Sequence, residues 1–202
     1  MATGTRAWKA RVFAATSLDG SIARQNNDIS WLTQPKANKD HISTSILKSM
    51  PSFEQHMAEV DFIVMGRRTF EVCRGLPEWP YPVKKLLVLS RNLTAPSIRD
   101  DDAPYLQAVR VIPSLEEVER ILNEERASMV YVDGGQTVQE FLRRDWVDEI
   151  VLTLAPVLLG GDEKRPRLFG DVPNDVRFTL CGVDVIEDGM VSCYYKVASQ
   201  VQ

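Results

Sequence analysis

Asp61-Phe62-Ile63-Val64-Met65-Gly66-Arg67-Arg68-Thr69 is the stretch on which the fold turns. Phe62 to Met65 are apolar at every position, so no polar face is left for solvent. Such a run suits a strand covered on both sides, as in a parallel sheet flanked by helices. Gly66 lets the backbone turn sharply where the run ends. A helix beginning there directs its unpaired N–H groups outward, which makes an anion site. Arg67 and Arg68 add charge suited to a phosphate monoester, and the Thr69 hydroxyl adds a donor. The competing reading is a plain strand-to-helix turn carrying two solvated arginines.

Three further runs have the same character: Val12 to Ala15, Leu86 to Leu89, and Met129 to Val132. Two segments carry helix-start signatures. Ser114-Leu115-Glu116-Glu117 and Thr137-Val138-Gln139-Glu140 both read as capping boxes. Leu115, Val118, Ile121 and Leu122 then recur at helical spacing. Glu149 to Leu154 reads as another strand. Val176–Ile186 and Met190–Val197 flank the turn Glu187-Asp188-Gly189, as in a β-hairpin. The expected class is α/β: helices on both faces of a mostly parallel central sheet, finished by a C-terminal antiparallel hairpin. With 202 residues, 44% of them hydrophobic, one domain over 1–202 is expected, with a 7–197 core and frayed ends.

The turn after Met65 has two counterparts. Gly134-Gly135-Gln136-Thr137 follows the run ending at Val132, and Leu89-Ser90-Arg91 ends another. Two glycines without Cβ atoms let a ligand approach the main chain, or simply make a tight turn. Ligands on open α/β sheets collect at the carboxyl ends of strands. Three such connections bearing phosphate-compatible residues favour an extended dinucleotide over three accidents.

Composition removes other classes. A net charge of −4, with basic residues spread along the chain, offers no groove for nucleic acid. No apolar run approaches the roughly 20 residues of a membrane span, and Met1 to Lys9 carry no signal-peptide core. Cys73, Cys181 and Cys193 are odd in number and lack metal-ligand spacing; they read as isolated thiols of a reducing compartment. With only His41 and His56, no histidine-rich metal site is expected. The expectation is a cytoplasmic protein that binds no metal.

At this point the motifs resemble a known superfamily. Val64-Met65-Gly66-Arg67-Arg68-Thr69-Phe70-Glu71 resembles a segment of dihydrofolate reductases, and Asp133 to Val138 their later double-glycine turn. Thr16-Ser17-Leu18-Asp19-Gly20-Ser21-Ile22-Ala23 and Asp148-Glu149-Ile150 through Ala155-Pro156-Val157-Leu158-Leu159-Gly160-Gly161 resemble the riboflavin biosynthesis reductase branch, the C-terminal domain of the bacterial deaminase-reductases. The resemblance implies the three-layer dihydrofolate reductase-like fold, NADPH as cofactor and a homodimer joined through the late strands. It implies that Gly66, Arg67, Arg68 and Thr69 hold the 2′-phosphate and pyrophosphate. Leu89, Ser90 and Arg91 would lie near the adenosine. Gly134, Gly135, Gln136, Thr137 and Val138 would embrace the pyrophosphate, with a cis peptide between the glycines. Ala14, Ala15 and Ile22 would border the nicotinamide.

The substrate half departs from the pattern. Dihydrofolate reductases place an acid shortly after a Trp that Trp31 matches, but Leu32-Thr33-Gln34-Pro35-Lys36 follows here. Asp40 is the nearest later carboxylate, either a helix-start residue or a proton donor. Asp19 is either a turn residue or an active-site acid. Trp31 is an active-site wall or a core aromatic. Pro77-Glu78-Trp79-Pro80-Tyr81-Pro82 covers ligand or plugs the sheet edge, the edge being favoured. The function expected is NADPH-dependent hydride transfer to a small heterocyclic or metabolite substrate other than dihydrofolate. The alternatives are reduction of a ribosylamino-pyrimidine phosphate, or nucleotide binding without redox chemistry.

Overall fold

The computed structural model describes residues 6–33, 50–82, 84–93, 108–160, 164–170, 172–186 and 189–198. Its elements are β1 (Lys9–Ser17), α1 (Ser30–Thr33), α2 (Phe53–Glu59), β2 (Phe62–Gly66), α3 (Arg67–Arg74), β3 (Lys85–Leu89), β4 (Val109–Ile112), α4 (Leu115–Glu124), β5 (Met129–Asp133), α5 (Gly135–Arg143), β6 (Glu149–Ala155), β7 (Phe178–Ile186) and β8 (Met190–Val197). They build one eight-stranded sheet in the order β4-β3-β2-β5-β1-β6-β8-β7. β1 to β6 run parallel, and β8 and β7 complete the sheet as an antiparallel hairpin. The α/β class read from the sequence is therefore the observed one.

Alternation within the apolar runs explains the layers. Phe62 and Val64 face the core shared with α4 and α5, while Ile63 and Met65 face the core shared with Met57 of α2 and Phe70 of α3. A strand buried on both faces must be apolar at successive positions. β4 escaped the sequence reading because Arg110 interrupts a run of only four residues at the sheet's end.

The helix starts differ in detail from the sequence expectation. Ser114 caps α4 by accepting from the Glu117 N–H, but Glu117 is held by Arg120, so the capping box is half formed. α5 begins at Gly135, two residues before the expected Thr137 start, and Gly134 is its cap. The positive φ of Gly134, 85°, reverses the chain within one residue of the strand's end. Helix α2, which the sequence reading did not assign, carries the complete capping box, Ser52 with Gln55.

A polar cluster is sealed beneath α2. Arg11 of β1 pairs with Glu149 of β6 at 2.6 Å and with Glu59 at 2.8 Å. The His56 ring is wholly buried, stacked on Phe13 with centroids 5.0 Å apart. Burial, and then the Arg11 charge, pull its pKa down to about 4, with Glu149 opposing. An unfolded histidine protonates near pH 6.5. Above that pH neither state binds the proton. Between about 6.5 and about 4 only the unfolded chain takes it up, so stability falls with pH by about 3 kcal/mol in total. Chemical denaturation at stepwise pH is expected to show this slope, and His56→Leu to flatten it. Equal slopes in the two proteins would remove His56 as the cause.

Candidate functional site

A cavity of about 1360 Å³ opens at the carboxyl ends of the parallel strands. Small-ligand pockets usually occupy about 300–1,000 Å³, so this one has room for a dinucleotide beside a second molecule. The three turns singled out in the sequence meet on it: Gly66 to Thr69, Leu89 to Arg91, and Gly134 to Thr137. Ala14, Ala15 and Ile22 line its other end. Val138 does not: its side chain is fully buried in the core, and its N–H makes the first α5 bond to the Gly134 carbonyl. The N–H groups of Gly135, Gln136 and Thr137 precede that bond at the positive end of the helix.

The first and last of these turns interlock. A Cβ on Gly134 would overlap the Thr69 hydroxyl, and a Cβ on Gly66 would lie 3.3 Å from the Thr137 hydroxyl. Each threonine, in the first turn of its helix, thus leans on the glycine capping the other helix. A Cβ on Gly135 would overlap the Arg167 carbonyl. The absent Cβ atoms therefore serve close approach by the chain itself, where the sequence pointed to approach by a ligand. The expected cis peptide is also corrected: no peptide bond among the described residues is cis. The positive φ of Gly134 makes the turn without the cost of about 3 kcal/mol that a non-proline cis bond carries.

Asp19 is the knot between the first loop and the 156–168 segment. Its carboxylate accepts from the Ser17 and Ser21 hydroxyls, both at 2.8 Å, from the Leu159 N–H at 3.2 Å, and from Arg165 at 3.1 Å. Burial works against ionisation, but the serine and backbone donors outweigh it and hold the acid well below the usual carboxylate range. These contacts tie the first loop to the 156–168 segment, which is the turn-residue alternative in structural form. Ile22, whose N–H bonds the Pro166 carbonyl, is thereby held against the cavity.

Trp31 takes the core alternative. It is 5% exposed and packs on Ala155 and Leu159, and its neighbours Ile29 and Leu32 line the cavity instead. Asp40 lies outside the described residues. The Pro77–Pro82 loop does not plug the sheet edge. Tyr81 reaches the central strand β5, where its hydroxyl donates to the Asp133 carboxylate at 2.6 Å.

Asp133 is the site residue that motif reading missed. It ends β5, and both it and Tyr81 line the cavity. Burial raises its pKa, against hydrogen bonds from Tyr81 and the Gly134 N–H. Desolvation thus favours the protonated form of Asp133, whereas the donors around Asp19 favour its ionised form. The signal was present in the sequence as an acid directly before a glycine pair at a strand's carboxyl end.

Residues 9–192 match the family model of the RibD C-terminal domain. The chain belongs to the RibD C-terminal domain family. Among solved structures it resembles a Shewanella sp. PV-4 protein named for riboflavin biosynthesis, at 31% identity and TM-score 0.75, over 95% of this chain and 99% of that one. It also resembles dihydrofolate reductase from Enterococcus faecalis complexed with NADP(H), at 17% identity and TM-score 0.57, over 95% and 97% of the two chains. That second likeness shows the fold. Uncharacterized protein YwjB of Bacillus subtilis (strain 168) is 27% identical over 177 residues, 86% of this chain and 90% of YwjB. The motifs first read as resembling the riboflavin biosynthesis branch thus lie in a RibD C-terminal, reductase-type domain. No helix among its described residues is long and apolar enough to cross a membrane.

Proposed function

We propose that the protein is an NADPH-dependent reductase acting on a small heterocyclic or metabolite substrate other than dihydrofolate. One observation carries the reading: three strand-end turns with phosphate-compatible residues converge on one cavity whose wall also holds a protonatable carboxyl. The residues fit the cofactor. Arg67, Arg68 and Thr69 lie beside the N-terminus of α5, and Ser90 and Arg91 continue the same wall. Arg67 is paired with Glu71 on an exposed helix face, which leaves its guanidinium further donors for a phosphate. NADPH bound there supplies the hydride. The chain's part is to hold the two partners together, exclude water and provide the accompanying proton. Asp133 is the group placed to provide it.

Dihydrofolate is set aside because no acid stands among Leu32-Thr33-Gln34-Pro35-Lys36, the residues that follow Trp31.

Thermal denaturation with NADPH tests the cofactor. Ligand at about 100 times its Kd stabilises a protein by about 2.7 kcal/mol. No rise in Tm with millimolar NADPH would sink the proposal. Arg67→Ala/Arg68→Ala is expected to weaken NADPH about tenfold and NADH much less, since losing a charge-assisted contact costs about 1.5 kcal/mol or more. Equal weakening would contradict the 2′-phosphate assignment. Tight NADPH binding with no oxidation across a panel of oxidised heterocycles would favour a non-redox protein.

A further inference from the structure

Tyr81 sits on a segment stiffened by Pro80 and Pro82, outside every motif that marks the cofactor turns. A ladder of rings holds it. Phe70 and Trp79 lie 6.1 Å apart, Trp79 and Tyr81 5.3 Å, Tyr81 and Tyr131 6.0 Å, all edge to face. Edge-to-face contacts of this kind fix the ring's direction. The hydroxyl at its end donates to Oδ2 of Asp133 at 2.6 Å. Oδ1 of the same carboxyl accepts from the Gly134 N–H at 2.7 Å. Both oxygens are thus held by donors, so the plane of the carboxyl is set from both sides.

We propose that Tyr81 is a positioning residue for Asp133, fixing the orientation of its carboxyl and stabilising its ionised form at the cavity wall. The catalytic meaning of this assignment rests on the reductase reading; the geometry itself does not. The titratable groups set against Asp133 are Tyr81 from the loop, Tyr131 from β5 and Cys73 from α3. Tyr131 donates its hydroxyl to the Phe13 carbonyl at 2.9 Å. Cys73 lies 3.5 Å from the Tyr81 hydroxyl, and burial pushes its thiol up to about 12, so it stays neutral. Among the groups that favour its ionised form Tyr81 comes first, by its 2.6 Å hydrogen bond, ahead of the Gly134 N–H and Tyr131. Its own ionisation is pushed upward by burial and by the Asp133 charge, which keeps the proton on the phenol oxygen.

The test is a titration of Asp133 followed by carbon-13 NMR of the aspartate carboxyl carbons, assigned with Asp133→Asn. Tyr81→Phe keeps the ring in its ladder and removes only the donor. A hydrogen bond to a charged group is worth enough to move a carboxyl by about one pKa unit. The Asp133 titration is expected to move up by about that amount in Tyr81→Phe. An unmoved titration overturns the assignment. NADPH-dependent Tm shifts on the same samples keep the two ideas apart. Their absence from wild type removes the reductase reading and leaves the Tyr81–Asp133 assignment to be decided by the titrations.

Discussion

Gly134→Ala is expected to destabilise the protein by about 2–5 kcal/mol. A left-handed conformation costs an L-residue about 1–2 kcal/mol, and Gly134 sits at φ 85°. The added Cβ also overlaps the Thr69 hydroxyl, and overpacking of that kind costs about 1–3 kcal/mol. For a chain of this size each kcal/mol lowers Tm by about 2–4 °C. Calorimetry should therefore find a fall of roughly 4–20 °C. Thr69→Ala in the same chain removes the overlapping oxygen and leaves the φ penalty. The double variant should recover part of the loss, with a coupling of about 1 kcal/mol or more. Strict additivity would mean that the two turns are not interlocked. The same contact has a functional side. Thr69 belongs to the first proposed phosphate turn and Gly134 to the second, so displacing either moves both walls of the cavity.

The second large effect lies at the opposite end of the strands. Arg11 and Glu149 are each 5% exposed, and their pair is 2.6 Å long. Arg11→Leu leaves a buried carboxylate whose remaining cation, Lys196, is half exposed and 3.5 Å away. Breaking a buried pair from one side typically costs about 3–5 kcal/mol. The double variant Arg11→Leu/Glu149→Leu leaves no stranded charge and should recover most of that loss, because apolar replacement of a whole buried pair is often neutral. Urea denaturation of the single and double variants decides it. A single variant within 1 kcal/mol of wild type would show that water or another cation reaches Glu149, contrary to its burial.

The sealed pair also explains why part of the motif that begins at Asp148 sits away from the cavity. Asp148 accepts the Ala10 N–H at 2.7 Å, and Glu149 binds Arg11. Both residues fasten β6 to β1, so the Asp148-Glu149 segment serves the sheet. The later half of the same motif, through Leu159, serves the first loop by way of Asp19. Position along a motif and position relative to the cavity are separate matters.

The sequence by itself determined the parallel strands and the places where they end. Runs such as Phe62 to Met65 are apolar at every position, and only a doubly covered strand satisfies that pattern. The glycines after them marked the carboxyl ends, where the cavity lies. These are local properties of a few adjacent residues. The tertiary structure alone decided which polar side chains face the cavity. Asp19 and Asp133 both follow strands and both precede glycine, so neighbouring residues do not distinguish them. Four donors drawn from the first loop and the 156–168 segment surround the Asp19 carboxylate, whereas Tyr81, 52 positions away, meets a half-buried Asp133. Trp31 went to the core and Leu32 to the cavity wall for the same reason: packing against Ala155 and Leu159 is fixed by the sheet order, not by the residues beside Trp31. Ionisation and burial depend on contacts made across the whole chain, and a linear motif carries none of them.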